Sequence, residues 1–238
     1  MILVLRVENL YVSISNIEIL REVSLKTEQR EVVGLVGRNG AGKTTTFKTV
    51  MGFYKPQRGR IYLDDVDITT TPTHLRARMG LSYVPEDARV FPWLTAKENI
   101  ELAIYLSGNQ DRADDIWDRV LGVFPELRNF MNRLGYHLSG GEKKMVAIAR
   151  ALATTPKYLL LDEAFEGLAP VVVKRFRDVV KTISQDLGIG IIVAESNINI
   201  ATMIADRIYV IERGEIIFEG GSDEVSRNEN VMKIIRGG

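Results

Sequence analysis

The sequence predicts an α/β fold built on a buried parallel sheet, with a β-rich opening segment and an inserted helical segment. Three observations predict it. Short apolar runs at Val32 to Val36, Leu81 to Val84, Tyr158 to Leu161, Ile191 to Ala194 and Ile208 to Ile211 are mostly separated by helical patterns, as in a sheet covered on both faces. Leu3 to Val7 and Val23 to Lys26 instead alternate apolar and polar residues, and Tyr54 to Gly59 punctuate the chain before the strand-like Arg60 to Leu63. Between Leu94 and His137 the pattern changes to charged amphipathic helices (Ala96 to Leu106, Asp111 to Val123, Glu126 to Arg133) with Gly and Pro at their joints.

The remaining elements follow in order. A helix is expected over Thr45 to Met51 and another over Lys143 to Ala153. Pro170 opens the pattern Val171 to Leu187 where a missing N–H costs least, and Gly188 closes it. Ile198 to Ala205 reads as a helix, Glu215 to Glu219 as the last strand, and Ser222 to Arg236 as a closing helix.

Composition narrows the chemistry. A chain of 238 residues that is 45% hydrophobic can bury a substantial core. Thirty-one basic residues balance 31 acidic ones, so net charge directs the chain to neither nucleic acid nor an anionic membrane. With no cysteine and only His74 and His137, thiolate chemistry, disulfides and a His-based metal site or triad drop out, leaving carboxylates, lysine and backbone. No apolar run is long enough to span a bilayer, and the start MILVLRVEN lacks the pattern of a signal peptide, so a soluble cytoplasmic chain is expected.

Directly after Val32 to Val36 comes Gly37-Arg38-Asn39-Gly40-Ala41-Gly42-Lys43-Thr44, a complete G-x-x-x-x-G-K-[ST] motif, followed by Thr45 and a helical pattern. Glycines let successive N–H groups turn toward phosphate oxygens. The helix start adds its positive end, Lys43 faces the β- and γ-phosphates, and Thr44 offers a hydroxyl to Mg²⁺. A dinucleotide loop would need G-x-G-x-x-G, which is absent.

The strand pattern Tyr158 to Leu161 runs into Asp162 and Glu163. At the C-terminal end of a parallel strand both acids border the ligand crevice. Asp162 suits the Mg²⁺, and Glu163 suits orienting or deprotonating an attacking water. Leu138-Ser139-Gly140-Gly141-Glu142 precedes a helix and so forms a second candidate anion site, although a Ser N-cap alone would explain the segment.

In this order and spacing, the phosphate loop, LSGGE and LLLDE resemble the ATP-binding-cassette (ABC) family over essentially the whole chain. Pro85-Glu86-Asp87-Ala88-Arg89-Val90-Phe91-Pro92 and Glu166-Gly167-Leu168-Ala169-Pro170 look like one ATPase subunit of branched-chain amino acid importers. The resemblance implies a phosphate-loop NTPase fold of the ABC type. A RecA-like parallel core would carry an antiparallel β subdomain (within 1–90), a helical subdomain ending in the signature (91–140), the rest of the core (141–219) and a helical tail (220–238). It also implies a dimer in which one chain's Gly37 to Thr44 and another chain's Ser139 to Glu142 close on one ATP. Transmembrane permease subunits and, indirectly, a solute-binding protein would be partners, with the ATPase peripheral on the inner face of the membrane. Glu86 falls where many relatives carry a Mg²⁺-sensing Gln, and Glu86 to Leu94 becomes the expected coupling surface.

Departures from the family pattern lie at Ile14, where relatives carry a Tyr that stacks on adenine, and at Ser196, where many carry a His contacting the γ-phosphate. Strand parity puts Tyr11 on the face opposite Ile14. Ser196 or Asn197 is also a candidate helix cap. With Ala169 replacing a frequent acid, a slow site paired with a better-equipped chain is expected. Thr73 to Arg78 is similar to ATPases of lipopolysaccharide extraction, which makes export the rival to import. A DNA-repair ATPase would need a long coiled coil that is missing, and a nucleotide-binding regulator would be separated by an ATPase assay.

Overall fold

The computed structural model describes residues 3–236; Met1, Ile2, Gly237 and Gly238, the ends of the expected span, lie outside them. The chain opens with a long hairpin, β1 (Val4–Ile14) and β2 (Ile17–Glu28), turned by Ser15 and Asn16 at φ of 50° and 66°. Two consecutive positive φ angles match the right-handed twist of the flanking strands. Both strands outrun the alternating stretches Leu3 to Val7 and Val23 to Lys26 because register shifts in β1 interrupt the alternation.

Next come β3 (Val32–Val36), α1 (Lys43–Val50), β4 (Arg58–Leu63), β5 (Val66–Asp67), α2 (Thr73–Arg78) and β6 (Leu81–Val84). The inserted segment contains α3 (Ala96–Leu106) and α4 (Ala113–Val123), then α5 (Gly140–Ala153) leads back to the core. The helix expected over Glu126 to Arg133 is instead a 3₁₀ turn, Pro125–Asn129. Three-residue spacing puts Phe124, Leu127 and Phe130 on one buried side, which a 3₁₀ turn eclipses and an α-helix would splay.

The chain continues through β7 (Tyr158–Asp162), α6 (Pro170–Lys181), β8 (Gly190–Glu195), α7 (Ile198–Ile204), β9 (Arg207–Glu212) and β10 (Glu215–Gly221). A π-helical turn, Thr182–Asp186, extends α6 to the expected end near Leu187. The closing helix is broken into α8 (Ser222–Arg227) and α9 (Glu229–Arg236), because the Asn228 side chain accepts the Val231 N–H at 3.1 Å and starts a new helix.

Among the described residues, β2-β1-β4-β5 form one antiparallel sheet, and β10-β9-β3-β8-β7-β6 form the second. In the second sheet β9, β3, β8, β7 and β6 are mutually parallel and β10 is an antiparallel edge. Alternate residues feed two cores. Val33, Leu35, Leu160 and Ile192 pack with the antiparallel sheet and α1, while Val36, Leu161 and Val193 pack with helices of the other face. No described helix is long and apolar enough to cross a membrane. The switch in strand order places the C-terminal ends of β3, β7 and β8 side by side, where α/β sheets hold ligands.

Candidate functional site

At that edge, β3 ends in the glycine-rich loop. Gly42 stands as N-cap of α1 at φ 114°, a conformation open to glycine, and no side chain caps the helix. The first-turn N–H groups of Lys43, Thr44 and Thr45 have no intrahelical acceptor, so they are free for an anion. Gly37 is required for another reason: a Cβ there would meet the Ile211 carbonyl oxygen at 2.3 Å.

Asn39, Gly40, Gly42, Lys43, Thr44 and Thr45 border a cleft of about 400 Å³, closed by Ile19, Glu86, Glu163 and Glu166. Gly37, Arg38 and Ala41 stand outside its lining. Gly37 and Arg38 hold Lys43 through their carbonyls, at 2.6 and 3.2 Å from Nζ, and the buried Ala41 donates its N–H to the Arg38 carbonyl. Ile14 is not on the cleft; it packs against the antiparallel-sheet core, and the apolar residue on the wall is Ile19. Tyr11 is turned away, donating to Glu22 under the Arg58 guanidinium.

The two acids at the end of β7 have different partners. Asp162, 1% exposed, accepts the Thr44 hydroxyl at 3.1 Å and the Tyr83 hydroxyl at 2.9 Å. Burial pushes its carboxyl above the usual range, against the hydrogen bonds from Tyr83 and Thr44. Glu163, 4% exposed, lies 3.0 Å from the Lys43 ammonium. Its other oxygen accepts the Ser196 N–H at 3.1 Å and the Ser196 hydroxyl at 3.3 Å. Asn197 caps α7 by accepting the Asn199 N–H, which leaves Ser196 to Glu163.

No group of three or more acidic or imidazole side chains arranged to hold a metal ion by themselves is found among the described residues. The Thr44 hydroxyl and the Asp162 carboxylate are hard oxygen donors, few in number. Such a pair fits Mg²⁺, which keeps waters and substrate phosphates as its other ligands. Glu86, exposed on the opposite wall, adds negative charge there.

The signature segment is elsewhere. Ser139 and Gly140 are exposed, and Ser139 to Glu142 contribute nothing to the cleft. Ser139 and Glu142 form a reciprocal capping box at the start of α5. Partial burial works to raise the Glu142 carboxyl, but hydrogen bonds from Ser139 and Arg133 hold it below its ordinary value. The cap reading is therefore correct locally, and it leaves the N-terminus of α5 facing outward.

Residues that sequence reasoning missed are Tyr83, Lys144, Glu195 and Ile19. Each reaches the site through strand pairing or helix packing, and only the apolar-run pattern of β6 and β8 hinted at their neighbourhood.

The family model for ABC transporters matches residues 20–166. The lipopolysaccharide export system ATP-binding protein LptB of Haemophilus influenzae is 34% identical, over 98% of this chain and 97% of that protein. The probable branched-chain amino acid transport ATP-binding protein LivF of Archaeoglobus fulgidus is also 34% identical, covering 98% of each. The crystal structure of MJ1267, an ATP-binding cassette of an ABC transporter in its ADP conformation, superposes with a TM-score of 0.86 at 25% identity over 100% of both chains. A match across more than half the sequence and end-to-end relatives on the same architecture lead to one conclusion: this chain belongs to the ABC transporter family, as an ATP-binding subunit that hydrolyses ATP.

Proposed function

We propose that the loop Gly37 to Thr44 and the pair Asp162 and Glu163 hydrolyse Mg-ATP between two chains, and that the work moves a small hydrophobic amino acid or related amide inward. The Lys43–Glu163 contact carries the catalytic part. Both side chains are buried, and a triphosphate would offer Lys43 a stronger partner than one carboxylate, releasing Glu163 to orient and deprotonate water. Lys43 and the α1 N–H groups bind the phosphates, while Ser196 holds the Glu163 carboxylate in place. Thr44 and Asp162 would hold Mg²⁺, which supplies charge neutralisation at the β- and γ-oxygens, with Glu86 near its outer ligands.

The exposed Ser139 to Glu142 segment completes the site of a second ATPase chain, identical or related. A groove of about 1020 Å³, bordered by His74, Arg89, Phe91 and Leu106, shares no residue with the phosphate cleft and suits a permease element. Glu86 to Leu94 joins the two, so the chain would sit peripherally on the cytoplasmic face of a membrane.

Import is supported by the Glu166 to Pro170 loop and by the archaeal LivF relative. A solute-binding protein belongs to that reading alone. Export of a lipid is the second reading, favoured by the LptB relatives. The segment Thr73 to Arg78 adds little to it, since Arg76 is buried and donates to the carbonyls of Thr49, Val50, Thr69 and Thr71. Reconstitution with the co-purified permease decides: ATP-dependent accumulation of a branched-chain amino acid supports import, and extraction of a glycolipid supports export.

A further inference from the structure

Two ionisable side chains that none of these steps uses, one from α5 and one from β8, each reach the turn carrying Glu163. Lys144, half-buried on α5, donates from Nζ to the backbone carbonyls of Glu163 at 3.1 Å and Glu166 at 2.9 Å. From the other side Glu195, 1% exposed at the end of β8, accepts the Phe165 N–H at 3.2 Å. The turn is also tied to β8 itself, with the Glu163 N–H on the Ala194 carbonyl at 2.9 Å, and the Glu195 carbonyl accepts Gly37 of the phosphate loop at 3.3 Å.

These groups are out of place as mere filling. Burial pushes the Lys144 ammonium below its ordinary value, and it pushes the Glu195 carboxyl up to about 8. Apolar side chains would fill the same space without that desolvation cost. What the pair does is visible in the backbone. Glu163 has φ 47°, left-handed and unfavourable for a residue with a Cβ, and such a conformer persists only where its surroundings over-determine it. Lys144 and Glu195 take up polar groups at three of the four residues of the turn, leaving it little freedom to relax.

We propose that Lys144 and Glu195 are positioning residues for hydrolysis. They clamp the Glu163–Glu166 turn so that the Glu163 carboxylate stays aimed at Lys43, and Lys144 makes that aim depend on the seating of the signature helix α5. The idea rests on reading Glu163 as the base.

The test uses the full chain, with steady-state turnover, fluorescent-nucleotide binding and hydrogen exchange of peptides covering 163–168. Lys144→Met should lower kcat about tenfold or more while ATP affinity stays within about twofold, and Lys144→Arg should recover most of the loss. Exchange across the turn should quicken about tenfold in Lys144→Met and in Glu195→Ala. In a Glu163→Gln background, Lys144→Met should add no further loss of turnover, since both act through one group. Wild-type kcat and wild-type exchange in Lys144→Met would overturn the proposal, as would a full multiplicative loss on top of Glu163→Gln. If Glu163→Gln alone turned over normally, the base assignment would fail, and the exchange result would still decide whether the clamp exists.

Discussion

The phosphate-loop end and the signature end of this chain are built in opposite ways. At the phosphate-loop end the central charged groups are buried and partnered: Lys43, Asp162 and Glu163 are all 5% exposed or less. Around Ser139 the chain is exposed, and its polar groups are satisfied locally, by the capping box and by Arg133 on Glu142. The first end gathers its charges in the interior of a cleft; the second is a capped, exposed surface that presents a helix N-terminus. One polypeptide thus carries the interior of one site and the cover of another. On the proposed reading, turnover would require two chains while binding would require one.

The sharpest way to break this contrast is Glu163→Gln, which keeps shape but removes the base and the ion pair with Lys43. Turnover should fall by about 10²- to 10³-fold with nucleotide binding retained or tightened, and wild-type turnover in an ATPase assay would reassign the role. Lys43→Ala should weaken ATP binding by about 10²-fold, read by titration with a fluorescent analogue, because it deletes the buried cation of the loop. Equal affinity before and after would refute the loop assignment.

A smaller effect separates folding from chemistry. Glu195 faces Glu163, Glu166 and Lys144, and burial keeps its carboxyl protonated up to about pH 8, whereas the unfolded chain releases that proton near 4.5. The folded state therefore binds more protons across this window, and stability falls as pH rises through it. Glu195→Gln should remove the fall, gaining at most about 1.4 kcal/mol per pH unit between those limits in thermal melts. Parallel pH profiles for the two proteins would show that Glu195 does not titrate there.

Smallest in the isolated chain is Ser139→Ala. Loss of the cap should cost about 1 kcal/mol of stability and leave ATP affinity of the monomer unchanged, while lowering turnover in the assembled dimer. Equal turnover in the dimer would remove the signature from the site.

Much of this was legible because it is local. The limits of β3 and β6 follow from short, largely apolar runs and those of α3 from its amphipathic pattern, and the phosphate loop and the two acids are contiguous motifs. The hairpin was underestimated because positive φ at Asn9, Ser15, Asn16 and Glu22 breaks the alternation without any glycine to announce it. Family resemblance points to Ile14 as the adenine-facing residue, yet its side chain packs on the antiparallel-sheet core and Ile19 of the neighbouring strand lines the cleft. Tyr83, Lys144 and Glu195 could not be read at all, since their roles depend on which strands become neighbours.

The buried Arg76 has a consequence for ligand binding at a distance. Its guanidinium sits on the last carbonyls of α1, the helix whose first turn faces the cleft, and it remains charged at neutral pH with burial lowering it only to about 10. A cation at that pole offsets the negative end of the peptide dipoles, leaving the opposite pole freer to attract an anion. Lysine there would keep the charge but lose the planar fork that spans four oxygens, so the position should tolerate arginine alone.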